Sequence, residues 1–453
     1  MTDTVKNKAL FETVSVPEAV LKMAIPTIVG QLIVLIYNLA DTFFIGRTGN
    51  HYMVAGASLI LPVFNIALSI ASVAGVGGGA LLSRLLGERR EEEAKKVYSF
   101  SIRMSVIAAA SFSLLVFLFM EPLLSFLGAD SDTVGFARSY AFWVIVAGAL
   151  PTVMTNVFSN FVRSIGESVM AGIGVFLGGA VNIALDPLFM FVILPEGKEI
   201  VGAGIATFLS NCISCIYFLF VLIRLGKSSS LKMVPFCERP ETASMKKILS
   251  VGIPSAVATL LFDIDYIVID KLMSAYDSTA LAAVGIVLKA ERLPLNIGVG
   301  ICQGMVPIVA YNYASGNRER MNAVSRFSLL LGIVCAVISI AMYELFAPSI
   351  LRFFIDDAAT VSLGTVFLRI RCLATVFMFM SFFHVHLFNG YGRGKEALFL
   401  GVTRWAVFNI PMLFLLNRLF GMYGIVWSQL AADILTVLLS FAVHRRFLKR
   451  EGI

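Results

Sequence analysis

Two acidic residues lie where charged side chains are rare, in or at the edge of long apolar segments. Asp41 ends the first apolar segment and Asp186 lies within the fifth. A carboxylate at membrane depth is costly and usually marks a functional site with a specific partner. Each acid has polar residues one helical turn away, on the same helical face. These neighbours, with a further polar pair in the sixth segment, are Tyr37, Asn38, Asn182, Thr207 and Asn211.

Convergence of these three segments would surround two carboxylates with amide and hydroxyl oxygens. Such a group of hard oxygen ligands suits Na⁺. It suits a proton equally well, because two close carboxylates resist ionising together. An alternative interpretation is that Asp41, at the end of its segment, is only solvated. Apolar sequence surrounds Asp186 on both sides, so solvation does not account for that residue.

The second half carries its own charged residues within apolar segments. They predict a buried ion-pair network that faces the protein interior rather than lipid. Its role is either cation coupling or purely structural pairing, and the sequence allows both. The members are Asp263, Asp265 and Asp270 in the seventh segment, Lys289, Glu291 and Arg292 in the eighth, and Arg369 and Arg371 in the tenth.

The composition indicates a membrane environment for these segments. The 453 residues are 58% hydrophobic and 14% charged, whereas soluble domains carry about 25% charged residues. The net charge of +7 is typical of cytoplasmic loops beside anionic lipid and does not indicate nucleic-acid binding. We therefore predict an all-α integral membrane protein that is surrounded by lipid.

Apolar stretches of about 20 residues, the length that spans a bilayer, predict twelve transmembrane helices. The predicted spans are 17–45, 53–82, 97–120, 134–160, 166–193, 201–224, 247–273, 280–309, 323–346, 360–388, 397–416 and 421–444. They divide the chain into a cytoplasmic segment 1–16, an N-lobe 17–224, a linker 225–246, a C-lobe 247–446 and a tail 447–453.

Short motifs recur in the second half of the sequence. Ala24-Ile25-Pro26 returns as Gly252-Ile253-Pro254 after 228 residues, and Val181-Asn182-Ile183 returns as Phe408-Asn409-Ile410 after 227. Six helices per half is an even number, so both halves insert in the same orientation. We predict two bundles related by a pseudo-two-fold axis along the membrane normal, with a cleft between them. Pro26 and Pro254 would kink the first helix of each bundle, either statically or as bending points.

The distribution of basic residues predicts the orientation in the membrane. On these boundaries roughly 23 lysines and arginines lie on the N-terminal side and roughly 5 on the opposite side. Both termini are therefore expected to be cytoplasmic.

Several motifs together carry a family resemblance. They are Ala24-Ile25-Pro26 with Gln31, the run from Tyr37 to Gly46, Gly75-Val76-Gly77 with the run from Ser83 to Gly87, the run from Asn182 to Pro187, and the run from Gly202 to Thr207. From about residue 17 to 446 the chain resembles the multidrug and toxic compound extrusion (MATE) family, and most closely its prokaryotic DinF-like and MepA-like branch.

The resemblance implies a cation site in the N-lobe and a kinked first helix. The site residues are Asp41, Asn182, Asp186 and Thr207, which would also be the ligands of a sodium ion. Pro26 matches the proline of the kink. Phe262-Asp263 resembles the Phe-Glu pair of the NorM-like branch. Supporting residues would be Gln31, Tyr37, Asn38 and Asn211.

We accordingly predict an antiporter that exports amphipathic, cationic compounds by alternating access, driven by H⁺ or Na⁺. It would act as a monomer in the cytoplasmic membrane of a bacterium or archaeon, without a cofactor. Position 221 is valine where the phosphate-binding loop ending in Gly226-Lys227-Ser228 would need glycine, and no nucleophile or metal cluster indicates an enzyme. The alternative is a flippase for a lipid-linked oligosaccharide, with Arg369 and Arg371 binding a pyrophosphate.

Overall fold

Long helices account for nearly all of the computed structural model, which describes residues 9–226, 233–235 and 238–452. Of Asp263 it describes the backbone alone, so the side-chain prediction for that residue lies outside the described part, as do residues 227–232 and 236–237 of the predicted linker. We number the spans α1 to α12 in chain order.

The bounds are α1 Val16–Arg47, α2 His51–Gly87, α3 Glu91–Leu118, α4 Val134–Ala147 with Ala149–Ser164, α5 Ser168–Ile193 and α6 Glu199–Gly226. They continue as α7 Thr242–Met273, α8 Ser278–Ala314, α9 Arg318–Phe354, α10 Ala358–Cys372 with Thr375–Tyr391, α11 Gly394–Phe420 and α12 Met422–Glu451. A short helix, Met120–Phe126, follows α3.

By length and composition, ten of the described helices are able to cross a membrane, and twelve if each bent pair is one span. The prediction of an all-helical membrane protein is therefore confirmed. The breaks in α4 and α10 were not predicted, and they bend the two helices by 47° and 45°. In α4 a π-helical turn, Phe142–Ala147, precedes Gly148. A Cβ on Gly148 would lie 2.5 Å from the carbonyl oxygen of Val144, so the wide turn needs glycine there.

The first six helices pack on one another, and so do the last six. In the N-lobe, α1 packs on α5, α2 on α3 and α4, and α5 on α6. In the C-lobe, α8 packs on α9 and α10, and α11 packs on α7 and α12. Pro26 lies inside α1, where Gly172 of α5 packs against its ring and carbonyl, and Pro254 lies inside α7.

One end of the bundle carries the first and the last described residues of the chain, and we call it the terminal end. Tyr311, at the end of α8, donates its hydroxyl to Glu12 before α1 at 2.6 Å. Arg90, between α2 and α3, pairs at 2.8 Å with Glu241, the residue before α7. Tyr313 donates to Glu451 at the end of α12 at 3.0 Å. The two termini and these three helix connections therefore meet on one side.

The two lobes touch most closely in the terminal halves of α2 and α7. A Cβ on Gly252 would lie 2.0 Å from the carbonyl oxygen of Val73, and one on Gly77 would lie 2.3 Å from that of Ile248. Only glycine allows backbones to approach this closely. We call this contact the glycine seam. α1 packs on α8 across the same interface.

Candidate cation-binding site

Asp41 lies near the end of α1 that is remote from the terminal end, and α4 supplies its partner. Tyr140 donates its hydroxyl to one carboxylate oxygen, Oδ2, at 3.1 Å. The other oxygen, Oδ1, is buried and has no donor among the described residues. The carboxylate is therefore oriented by a protein donor and still has one oxygen available to a ligand.

The second acid lies deeper in the same lobe. Asp186 of α5 is fully buried, and Asn182 on the same helix is 2% exposed. The amide nitrogen of Asn182 lies 3.4 Å from both Asp186 Oδ1 and Thr207 Oγ1 of α6. Asn182 thus connects the carboxylate to the neighbouring helix, as the i, i+4 spacing within α5 predicts.

A small cavity lies between Asp41 and Thr207 of α6. Its volume is about 30 Å³, and Asp41, Tyr37, Asn38, Tyr140 and Thr207 are among its lining residues. A polar space of this size holds a water molecule or a small cation. Thr207 therefore lines the same cavity as Asp41, and it also accepts the hydrogen bond from Asn182.

A second cavity, of about 70 Å³, lies on the other side of Tyr37 and extends deeper into the lobe. Asn182 and Asn211 line it, together with Thr155 and Asn156 of α4. The amide of Asn211 donates to the carbonyl oxygen of Thr207 at 2.9 Å. This bond holds the Asn211 side chain against α6, one helical turn after Thr207. The supporting residues Tyr37, Asn38 and Asn211 therefore all border the polar space around the acids.

Gln31 lies elsewhere. Its amide donates to Gln303 of α8 at 3.1 Å, across the two lobes, and Arg163 of α4 donates to the same Gln303 oxygen at 3.2 Å. Ten residues separate Gln31 from Asp41, which is about 15 Å along a helix. The residue belongs to the interface between the lobes.

Three buried oxygens in this site have no hydrogen-bond donor in the described part of the chain. They are Asp41 Oδ1, Asn182 Oδ1 and Asp186 Oδ2. Buried acceptors without a donor are expensive, and oxygen atoms alone suit a hard cation or a proton. None of the described residues forms an ion pair with either acid. A group of three His, Cys, Asp or Glu residues that would bind a transition metal is also absent from the described chain.

The C-lobe contains a buried network in which the acids have basic partners. Arg371 of α10 donates to both oxygens of Glu291 of α8 at 2.9 Å. Arg404 of α11 pairs with Asp433 of α12 at 2.7 Å. We call these four residues the guanidinium pairs. All four are almost completely buried.

Asp265 lies beside the guanidinium pairs, and none of the residues that the structure describes is a direct basic partner for it. It is 1% exposed and accepts a 2.7 Å hydrogen bond from the amide of Asn409. The same amide nitrogen lies 3.5 Å from Gln429, which donates to Asp433 at 2.6 Å. The chain of amides therefore joins Asp265 to one guanidinium pair.

Other predicted members of the C-lobe network lie outside it. Asp270 and Lys289 are exposed. The guanidinium of Arg292 lies over the ring of Tyr266 at 5.0 Å, a cation–π contact within the C-lobe. Arg369 pairs at the surface with Glu344. Because Arg371 is committed to Glu291, the two arginines do not present a joint anion site in this conformation.

The MatE family profile matches residues 26–188 and again residues 254–415, so each match begins at the proline inside the first helix of a lobe. The multidrug export protein MepA of Staphylococcus saprophyticus is 29% identical over 433 residues, 96% of this chain and 94% of that protein. MepA of Staphylococcus aureus is 27% identical over the same length.

Solved structures share the fold. The crystal structure of MATE in complex with MaL6 superposes with a TM-score of 0.92 at 22% identity, covering 98% of this chain and 99% of that one. An outward-facing conformation of a multidrug resistance MATE family transporter of the MOP superfamily also gives 0.92 at 22% identity, covering 99% of each chain. At this identity the likeness describes the fold alone.

Proposed function

Because this chain belongs to the multidrug and toxic compound extrusion (MATE) family, we propose that it exports amphipathic, cationic small molecules in exchange for Na⁺ or H⁺. Relatives named multidrug export proteins support the export. The observation that carries the ion coupling is the pair Asp41 and Asp186, two carboxylates with donorless buried oxygens and without an ion-pair partner among the described residues.

Each residue of the site has a distinct role in the proposed exchange. Asp41 and Asp186 bind the cation, which relieves the repulsion between their charges. Tyr140 orients Asp41, while Asn182 and Thr207 connect Asp186 to α6. A sodium ion would use these oxygens as ligands, whereas a proton would be shared between the carboxylates. Either ion is a transported substrate.

Coupling requires that the cation bind two conformations with different affinity. Asp41 and Pro26 lie on the same helix, and Pro26 packs against Gly172 of α5. In the proposed cycle, cation binding bends α1 near Pro26, narrows the cleft and releases the drug toward the outside. The lobes then separate at the terminal end, release the cation and bind new substrate.

Transport by purified protein in proteoliposomes tests the coupling, with Na⁺ and pH gradients imposed separately. We expect ethidium movement to follow one of the gradients and Asp41→Asn to abolish it, because asparagine keeps the shape but cannot cycle a charge. Asp132→Asn, an exposed acid near the same end of the bundle, is the control. Gradient-driven transport by Asp41→Asn at the wild-type rate would contradict the site assignment.

We also propose that the chain acts as a monomer in a cytoplasmic membrane, with the terminal end in the cytoplasm. The excess of basic residues on that side supports the orientation. A cysteine at Asp356 should react with an impermeant thiol reagent in intact cells, and a cysteine at Arg89 should not. The opposite labelling pattern would overturn the orientation.

A further inference from the structure

A short segment before α1 is buried at the terminal end, although its sequence is mixed in polarity. Residues 9–12 form one helical turn, and residues 13–15 lead into α1. Phe11 is 2% exposed and Leu10 is 8% exposed. Residues near a chain end are usually ordered only when other parts of the protein hold them. The burial of Leu10 and Phe11 therefore indicates that other elements hold residues 9–15 in place.

The C-lobe provides most of the binding surface for this segment. The rings of Phe11 and Tyr311 stack with centroids 5.0 Å apart and an angle of 16°. The Tyr311 hydroxyl donates to Glu12 at 2.6 Å, and the Asn312 amide donates to the carbonyl oxygen of Phe11 at 3.1 Å. Both partners lie at the end of α8, which belongs to the C-lobe.

Arg320 at the start of α9 adds three hydrogen bonds to backbone oxygens of the segment. Its Nε donates to Phe11 at 2.6 Å, and one terminal nitrogen donates to Val14 at 2.6 Å and Leu10 at 3.1 Å. The Leu10 and Phe11 carbonyls lie at the end of the helical turn, where an intrahelical donor is missing, and Val14 follows the turn. A single C-lobe side chain thus fixes the backbone of the segment.

The same segment is joined to the N-lobe. It continues directly into α1, and a Cβ on Gly166, between α4 and α5, would lie 3.3 Å from both Leu10 and Phe11. Residues 9–15 therefore bridge the two lobes on the side where the glycine seam also lies. Separation of the lobes at this end must break the contacts with Tyr311 and Arg320 or pull the segment off Gly166.

We propose that residues 9–15 form a latch that holds the two lobes together at the terminal end. The latch stabilises the conformation that is closed at this end and releases before that end opens. The proposal goes beyond ion coupling and drug export, and it rests on the lobe motion of the proposed function. Its anchors are the Phe11–Tyr311 stack and the Arg320 hydrogen bonds.

Distances between spin labels on the two lobes test the latch in the full-length protein. Glu88 of the N-lobe and Glu319 of the C-lobe are exposed at the terminal end and accept labels. We expect Phe11→Ala and Arg320→Gln each to raise the ratio of long to short distances by about tenfold, equivalent to about 1.4 kcal/mol. The controls are Phe126→Ala, 87% exposed near the opposite end, and Arg326→Gln, exposed on α9.

Wild-type distance distributions in both anchor variants, with unchanged melting temperatures, would overturn the latch.

A covalent cross-link that prevents the latch from releasing provides a second test. In a cysteine-free background, Phe11→Cys and Tyr311→Cys are joined by a short, cleavable bifunctional thiol reagent. We expect the joined protein to lose transport and to regain it after cleavage.

Undiminished transport by the fully joined protein would also refute the proposal. The distance measurement needs neither drug nor ion gradient, so it separates the latch from the transport function. Unchanged distances count against the latch alone. Transport that follows neither gradient, together with the expected distance changes in the anchor variants, counts against the ion coupling alone.

Discussion

The buried acids of the two lobes have different neighbouring side chains. In the N-lobe, Asp41 and Asp186 are surrounded by hydroxyl and amide groups. In the C-lobe, Glu291 and Asp433 each have an arginine at 2.9 Å or less. A guanidinium is a permanent cation and cannot lose its proton. Glu291 and Asp433 therefore carry a built-in counter-ion, whereas in the proposed exchange Asp41 and Asp186 receive theirs from the transported cation.

The backbone frame of the lobes is nevertheless similar. Asn182 and Asn409 occupy matching sequence positions, and each offers its amide to a buried acid, Asp186 and Asp265 respectively. What distinguishes the lobes is the presence of two arginines, Arg371 and Arg404. In the proposed function, this difference in side-chain charge assigns cation exchange to the N-lobe.

The largest expected difference concerns transport. Asp186→Asn should lower gradient-driven efflux by at least about tenfold, because it removes an exchangeable charge from the membrane interior. Asp265→Asn should lower it by less than about twofold, because the guanidinium pairs neutralise the other C-lobe acids permanently. Initial rates in proteoliposomes measure both. Equal losses in the two variants would mean that both lobes couple, and the comparison would fail.

Next in size is an effect on stability in the C-lobe. Arg404→Gln leaves Asp433 buried without its cation and should cost about 3–5 kcal/mol. The double variant Arg404→Leu/Asp433→Leu removes both charges and should be more stable than the single variant. Thermal unfolding in detergent compares them. A double variant less stable than Arg404→Gln would show that the ion pair itself stabilises the fold, and that the loss in Arg404→Gln does not come from the unpaired charge of Asp433.

A smaller effect is expected for Tyr140→Phe in the N-lobe. The substitution removes the donor to Asp41 but keeps the ring, and a hydrogen bond to a charged group contributes about 1.5–3 kcal/mol. Efflux should fall by about tenfold, the lower end of that range, whereas Asp41→Asn should abolish it. The matched control is Tyr343→Phe in the C-lobe, where the hydroxyl donates to the Ala290 carbonyl at 2.6 Å. If both phenylalanine variants transport alike, Tyr140 has no special role in coupling.

The smallest expected effect is a decrease in melting temperature that should be the same for matching variants in the two lobes. Asp130 and Asp357 precede the outer ends of α4 and α10, and each accepts hydrogen bonds from the hydroxyl and backbone N–H of a threonine three residues later. These bonds hold the pKa of both carboxyls below the usual range. Their contribution to stability is complete above the unfolded-state pKa and is lost as the pH falls through the lowered pKa.

Asp130→Asn and Asp357→Asn should therefore cause small, equal decreases in melting temperature at neutral pH. The differences from wild type should shrink under acidic conditions, where the wild-type carboxyls are protonated. Melting curves across a pH series measure this. Unequal decreases would show that the starts of α4 and α10 are not equivalent. The two lobes would then be less similar in structure at these helix starts.

Local spacing predicted the parts of the site that lie within one helix. Asn182 and Asp186 are four residues apart, and Tyr37 and Asn38 precede Asp41 by one turn, so helical geometry alone places each group on one face. Tyr140 was missed because its contact with Asp41 spans 99 residues. Arg404 and Asp433 were missed for the same reason, since they lie on different helices that pack together.

Helix length and composition predicted the twelve spans, but not the interruptions within them. The sequence around Gly148 is apolar on both sides, so a hydropathy criterion cannot distinguish a bent span from a straight one. The buried residues before α1 were also predicted as a plain cytoplasmic segment. Leu10 and Phe11 are only two apolar residues, and their burial depends on partners about 300 residues away.

The glycine seam has a mechanical consequence. Surfaces of interlocked side chains must change rotamers before they part, whereas Gly77 and Gly252 contribute no side chains at their points of contact. The attraction there is mainly dispersion, and a gap of about 0.5–1 Å already removes a quarter to a half of it. The joint between α2 and α7 is therefore close to all-or-none. In the proposed cycle, such a joint would favour a fully closed and a fully open position and would give little support to intermediate ones.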